Sequence, residues 1–351
     1  MEGAIIQIDK QSSVTSRVDL EDIAYFGRGI GKEGDVILVE ALRSYGAVSY
    51  IETPSGRLAK IHMKDKLLGV LGNRDATRAI VGRIPRRGIK VTRNIRLHLL
   101  CAGGVIGKAV SFVIRHGSPL PVRPVGLAYN DEGKVVNIKD YGIPWRKHLG
   151  RTPPIVMLVS TSMESGKTTA AVEIIGHLTK IEGYKVAGVK LTGVARMRDI
   201  LRMKDAGANP CLSFVDAGLP STTTIRHKVT KAAKGILHKV SEANPDIIVA
   251  EMGGSILGEG VPYILEDHEI MKNVKAIILS ALDEVGAYGG VKLLREQYGL
   301  EVTAITGPAT DDKSGVKRIS KVTGVPAYNM LKGRSSDKLV DLILEKLELR
   351  S

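Results

Sequence analysis

The chain has 351 residues, enough for two hydrophobic cores, and its 43% apolar and 25% charged content is that of a folded protein rather than a disordered one. Its two cysteines, Cys101 and Cys211, lie far apart without CxxC spacing, which excludes a disulfide framework and a thiolate zinc cage. Of the formal charge of +14, most sits early: residues 1–150 hold 24 Lys and Arg against 14 Asp and Glu, a field that attracts anions generally, while 4% aromatic residues leave little material for base stacking.

Residues 1–142 read as short extended runs broken by Gly, Pro and Asn-Asp turns. The expected strands are 4–8, 35–40, 47–52, 58–62, 67–71 and 97–102, with one short helix over 20–25. Pro54-Ser55-Gly56 between two alternating segments and Asn130-Asp131-Glu132-Gly133 after Tyr129 are hairpin signals. A mainly β domain, as a small barrel, is the expectation. Cys101-Ala102-Gly103-Gly104-Val105-Ile106-Gly107-Lys108 lacks GxGxxG spacing and reads as a bulged strand pair. Arg74, Arg78, Arg83, Arg86, Arg87, Lys90, Arg93 and Arg96 form a basic run that suits a solvated face or the recruitment of an anion.

Residues 143–154, with Trp145 and Pro153-Pro154, read as a linker, and 155–351 as an α/β domain. Apolar strands are expected over 155–160, 185–190, 212–216, 246–251, 275–280 and 301–306. Helical stretches over 167–181, 221–243, 285–298 and 335–347 alternate with them, as a mainly parallel sheet covered by helices requires.

The strongest chemical signal is the apolar run Ile155–Ser160 leading into Thr161-Ser162-Met163-Glu164-Ser165-Gly166-Lys167-Thr168-Thr169 and then a helix. Strand, glycine-containing loop and helix are the setting of a Walker A loop, in which backbone N–H groups cradle phosphates, Lys167 reaches the β and γ oxygens and Thr168 ligates Mg2+. The strict pattern places glycine at 161; threonine there requires the loop to avoid positive φ at that point.

With its STSMESGKT loop, the chain resembles dethiobiotin synthetase and its relatives, whose loops have the form GTDTEVGKT. The likeness extends through Val189-Lys190-Leu191-Thr192-Gly193, Lys204-Asp205-Ala206 and Val249-Ala250-Glu251-Met252-Gly253-Gly254. The wider P-loop class it covers, over 155–254, includes cobyrinate amide synthetases and the molybdopterin-guanine dinucleotide B protein. The resemblance implies a second phosphoryl-facing cation at Lys190, Mg2+ ligands at Asp205 and Glu251 beside Thr168, and a substrate approach at Thr192, Gly253 and Gly254. Ser160 replaces a glycine of that family, no proline follows Lys190, Val194 stands where those synthetases use a serine, and residues 1–150 have no counterpart in them.

A loose, anionic phosphoryl-transfer transition state is served by preplaced cations, here Lys167, Lys190 and a Mg2+ held by Thr168 with Asp205 or Glu251, so Lys167, Lys190 and Glu251 are the catalytic candidates. Asp216, ending a strand before a turn, is a substrate or metal candidate or a helix cap. The segment 304–311 is a candidate base contact, and Gly286, Gly289 and Gly290 suit close packing at a helix start.

The expected activity is ATP- and Mg2+-dependent transfer, with GTP as the other nucleotide, to a small anionic carboxylate, carbamate or hydroxyl substrate, by a cytoplasmic protein able to form a homodimer. Two alternatives are a nucleotide-switch accessory protein that binds a partner and a polynucleotide 5′-kinase. Nucleic acid fits less well than a small anion, and no apolar run nears the roughly 20 residues of a membrane helix.

Overall fold

The computed structural model describes residues 7–76, 78–258 and 260–350. Residues 4–6 of the strand expected over 4–8 lie outside the described residues, and the first described strand is Lys10–Gln11. The chain forms two compact units. One comprises Met1–Pro144 together with Val194–Arg198 and Phe214–Ile225; the other comprises Trp145–Gly193, Asp199–Ser213 and Arg226–Ser351.

The first unit is built on a closed ring of strands. Lys66–Leu71 pairs with Val36–Ala41, which pairs with Leu120–Tyr129; Leu97–Leu99 and Val105–Ser111 come next, and the last returns to Lys66–Leu71 through Val105↔Val70 and Ile106↔Leu71. Closure removes free edges from the ring and makes the sheet a small barrel. Period-2 alternation sorts the side chains: Ile37, Val39, Leu67, Leu71, Leu97, Leu99 and Ile106 pack in one cluster, while Val36, Leu38, Leu68, Val70 and Val105 pack in a second.

The two hairpin signals fold as read. Tyr50–Glu52 pairs antiparallel with Leu58–Lys60 across the Pro-Ser-Gly turn, and Tyr129 bridges Val135. Leu97–Leu99 and Val105–Ser111 form the strand pair expected around Cys101, with Gly104 at φ 97° in its turn. The helix expected over 20–25 is only a single 3-10 turn, Leu20–Asp22, because Asp19 caps Glu21 and Tyr25–Gly27 then pairs with Leu120–Tyr129. Tertiary pairing wins over a helical pattern too short to persist alone.

The second unit is a six-stranded parallel sheet in the order Cys211–Ser213, Val186–Thr192, Ile247–Met252, Ile155–Ser160, Val274–Ser280, Ala304–Thr306. Its strands are almost continuously buried because helices cover the sheet. On one face Val156, Leu158, Val249 and Ile278 meet Ala170, Ala171, Ile174 and Leu178 of the helix Lys167–Lys180. Leu339, Val340, Ile343 and Leu344 of Gly333–Lys346 join them at helical spacing. The helix Arg226–Ser241 starts later than the expected 221, because residues 214–225 belong to the first unit. There the Ser221 hydroxyl donates to the Asn73 carbonyl at 2.6 Å and the Asp75 N–H donates to Thr223 Oγ1 at 3.1 Å. The short helices Val261–Leu265 and His268–Met271 and the longer Arg198–Ala206 and Lys313–Thr323 add to the four expected helical stretches. No helix among the described residues is long and apolar enough to cross a membrane.

Candidate functional site

At the carboxyl edge of the parallel sheet, the central strand Ile155–Ser160 ends in the loop that opens the helix Lys167–Lys180. Such edges are where open α/β sheets receive ligands. The loop's left-handed positions are Glu164 at φ 62° and Gly166 at φ 88°, and Thr161 is not among the positive-φ residues. The left-handed turn thus falls at positions beyond 161, and the threonine is accommodated.

The loop is held by its own polar groups. Ser160 Oγ donates to the Ser162 and Gly254 carbonyls at 2.8 and 2.9 Å, and Ser165 Oγ donates to Ser162 O at 2.9 Å. The Lys167 ammonium donates to Ser160 Oγ and, at 3.3 Å, to Ser162 O. Met163 and Thr169 lie on the loop and the first turn of the helix, both half-buried. Gly307 closes against the loop: a Cβ added there would lie 2.4 Å from Ser165 O and 2.7 Å from Ala281 O. The segment 304–311 thus reaches the loop from the edge strand Ala304–Thr306, with Val274–Ser280 between that strand and Ile155–Ser160. The helix Glu284–Tyr298 packs Gly290 against the start of the loop, where an added Cβ would lie 3.0 Å from Thr161 Cγ2. Close packing is the role of that glycine.

Four charged side chains meet behind the loop, all strongly buried: Lys167, Lys190, Asp199 and Glu251 are 7%, 6%, 6% and 2% exposed. Burial at that level is costly for isolated charges, so their mutual pairing decides whether they remain ionised. The Thr168 hydroxyl donates to Glu251 Oε1 at 3.2 Å, while Glu251 Oε2 is buried without a hydrogen-bond partner among the described residues. Burial pushes the Glu251 carboxyl up from its ordinary value; Lys190 opposes that most, Asp199 adds to it, and Lys167 and the Thr168 hydrogen bond also oppose it. Burial brings the Lys167 ammonium down to about 8, against the pull of Glu251. Lys190 donates directly to Asp199.

Of the other candidates, Thr192 is fully buried and donates to Gly253 O at 3.1 Å, while Gly253 N–H donates to Thr192 O at 3.1 Å. Gly253 must lack a side chain: an added Cβ would lie 2.3 Å from Thr192 O and 3.1 Å from Lys190 Cε. Gly254 takes φ 92°. Thr192 and Gly253 are therefore packed against each other beside Lys190, and of the three only Gly254 is partly exposed.

Asp205 lies elsewhere. It is exposed near the end of the helix Arg198–Ala206, in a groove lined by Glu173, Lys180 and Arg202, and it takes no part in the buried cluster around Glu251. The acid brought into that cluster is Asp199, in the first turn of the same helix. Asp199 and Asp205 stand six residues apart on one charged helix, and no local sequence signal distinguishes the buried acid from the exposed one. Asp216 belongs to the first unit and accepts from Arg17 Nε at 2.9 Å, a half-exposed ion pair.

No group of three or more His, Cys, Asp and Glu side chains among the described residues is set to hold a metal alone. Mg2+ takes only one or two carboxylates when phosphate oxygens and water complete its octahedron. The unpartnered Glu251 Oε2 and the adjacent Thr168 hydroxyl fit that share of the ligand set.

No family model matches the sequence, and no curated protein does. Among solved structures, the chain is similar to the signal recognition particle 54 kDa protein of Aeropyrum pernix K1 in complex with GDP, at 19% identity and a TM-score of 0.36, over 57% of this chain and 50% of that one. It is also similar to a ParA family ATPase of Chlorobium tepidum TLS, at 15% identity and TM-score 0.33, over 56% of this chain and 96% of that one. A duf1611 family protein of Anabaena variabilis is similar at 17% identity and TM-score 0.37, over 58% of this chain and 63% of that one. The chain thus spans about half the length of the first of these structures.

Proposed function

We propose that the second unit binds a nucleoside triphosphate with Mg2+ and cleaves its γ-phosphoryl group. The observation that carries this reading is the part-buried hydrogen bond from Thr168 to Glu251, placed at the base of a Lys-containing loop that opens a helix. The loop amides and the helix N-terminus supply positive partial charge for the β and γ oxygens. Lys167 leaves Ser160 and Ser162 to reach those oxygens, and its burial gives the triphosphate a strongly favourable cation to neutralise. Thr168 and Glu251 are the side chains that would hold the metal, which when bound spreads the charge of the β and γ oxygens. Lys190, steadied by Asp199, is a second fixed cation for charge that moves during transfer.

The acceptor separates two forms of the reading. With water as acceptor, the protein is a slow nucleotide hydrolase of the switch type, whose turnover a partner raises. With a carboxylate, carbamate or hydroxyl beside Lys190 as acceptor, it is a kinase or ligase. Turnover of ATP and GTP by the full chain, with Mg2+ and with EDTA, tests the shared chemistry. Loss of turnover in EDTA is expected, and nucleotide binding that is absent with Mg2+ present would overturn the proposal.

A further inference from the structure

The first unit contains a cavity of about 340 Å³. Its walls are largely apolar, with Val48, Ile80 and Val113 among them, but Arg74 and Arg196 also line it. The Nε atoms of both guanidinium groups are buried and have no hydrogen-bond partner among the described residues. Arg74 donates to the Leu100 carbonyl through another of its nitrogens, so its plane is fixed at the wall. Burial pulls Arg74 down from its ordinary value, Cys101 opposes that and Arg196 adds to it; both guanidinium groups line the same cavity.

Unpaired buried donors are costly, and two adjacent guanidinium groups more so. The Glu52 carboxylate accepts through Oε2 from Ser13 Oγ and from Met197 N–H, each at 2.7 Å, and does not line the cavity. An oxyanion placed against the two guanidinium groups would screen the like charges. The size falls at the lower end of small-molecule sites, which are mostly apolar with a few placed polar groups.

We propose that this cavity binds a small organic acid, its carboxylate or phosphate gripped by Arg74 and Arg196 and its apolar body lying against Val48, Ile80 and Val113. The site is distinct from the phosphate loop and does not depend on the nucleotide reading.

The test is a thermal-shift titration of the full chain with hexanoate, hexyl phosphate and inorganic phosphate, repeated on Arg196→Gln, Val113→Trp and Lys167→Ala. A saturable rise in Tm is expected with hexanoate or hexyl phosphate, and the stronger of the two identifies the headgroup. Arg196→Gln should need at least tenfold more ligand, Val113→Trp should abolish the shift with the apparent fold retained, and Lys167→Ala should leave it intact. No saturable shift with either hexyl compound, equal shifts in wild type and Arg196→Gln, or inorganic phosphate binding as tightly as hexyl phosphate would overturn the proposal. Loss of the shift in Lys167→Ala would do so as well, by assigning the ligand to the phosphate loop.

Discussion

Thr168 and Glu251 are joined across the sheet edge: the hydroxyl at the start of one helix donates to the carboxylate at the end of the neighbouring strand at 3.2 Å, leaving the second carboxylate oxygen buried and unpartnered among the described residues. Glu251→Gln keeps the size and the acceptor for Thr168 but removes the charge. Triphosphate turnover should fall on the order of 100-fold with a raised Mg2+ requirement. The melting temperature should hold or rise, because burial already disfavours the ionised form. A steady-state assay over a Mg2+ series, paired with a thermal melt, checks both.

Lys167→Ala should abolish nucleotide binding without unfolding the chain. Burial lowers this lysine from an ordinary 10.5 to about 8, so the native state holds its proton less tightly than the unfolded state. Below about pH 8 both states are protonated and the folded protein bears the full cost; that cost is relieved as pH rises from about 8 towards 10.5. The variant should therefore melt no lower than wild type at pH 7, and its advantage should shrink above pH 8. Calorimetric melts across that range, with nucleotide titration at pH 7, measure it; a variant that binds nucleotide as wild type does would sink the assignment.

Lys190 and Asp199 form a buried pair, and removing one partner of such a pair typically costs about 3–5 kcal/mol. Lys190→Ala should thus lose stability as well as activity, and Lys190→Met combined with Asp199→Leu should recover most of the stability but none of the turnover. If Lys190 acts on moving charge, kcat falls further than nucleotide affinity. Denaturant melts and single-turnover kinetics on the single and double variants separate these effects.

The barrel seam offers a test of the first unit. Gly69 lies on Lys66–Leu71, and a Cβ there would come 2.5 Å from Gly104 O and 2.8 Å from Ile106 Cδ1. Gly69→Val should destabilise by roughly 1–3 kcal/mol through overpacking. Chemical denaturation should show the loss, and an unchanged midpoint would mean that the ring does not close at that point.

The second unit is legible in the sequence where periodicity and chemistry coincide. Ile155–Ser160 is a continuous apolar run of strand length leading into Gly166-Lys167-Thr168, and the structure has that strand, loop and helix. Strand ends blur where neighbours decide them. Cys211–Ser213 stops three residues before Asp216 because Phe214 and the residues after it pack in the first unit. Asp199 is hidden in the sequence because Arg198, Asp199, Arg202, Lys204 and Asp205 make a charged stretch in which nothing local marks which acid is buried. Closure of the barrel is legible as a class and not as a pairing, since Val70 meets Val105 only through contacts far apart in sequence.

The first unit borrows two distant pieces of chain, Val194–Arg198 and Phe214–Ile225, with the Ala195 N–H donating to Pro220 O and Ser221 Oγ reaching Asn73. During synthesis the amino-terminal part therefore emerges with its own final pieces still unmade, and it stays unfinished until about residue 225 has left the ribosome. Cutting the gene at the apparent boundary near residue 144 would yield neither half whole: the front piece would lack wall and braces, and the back piece would carry two stranded loops with no surface to lie on.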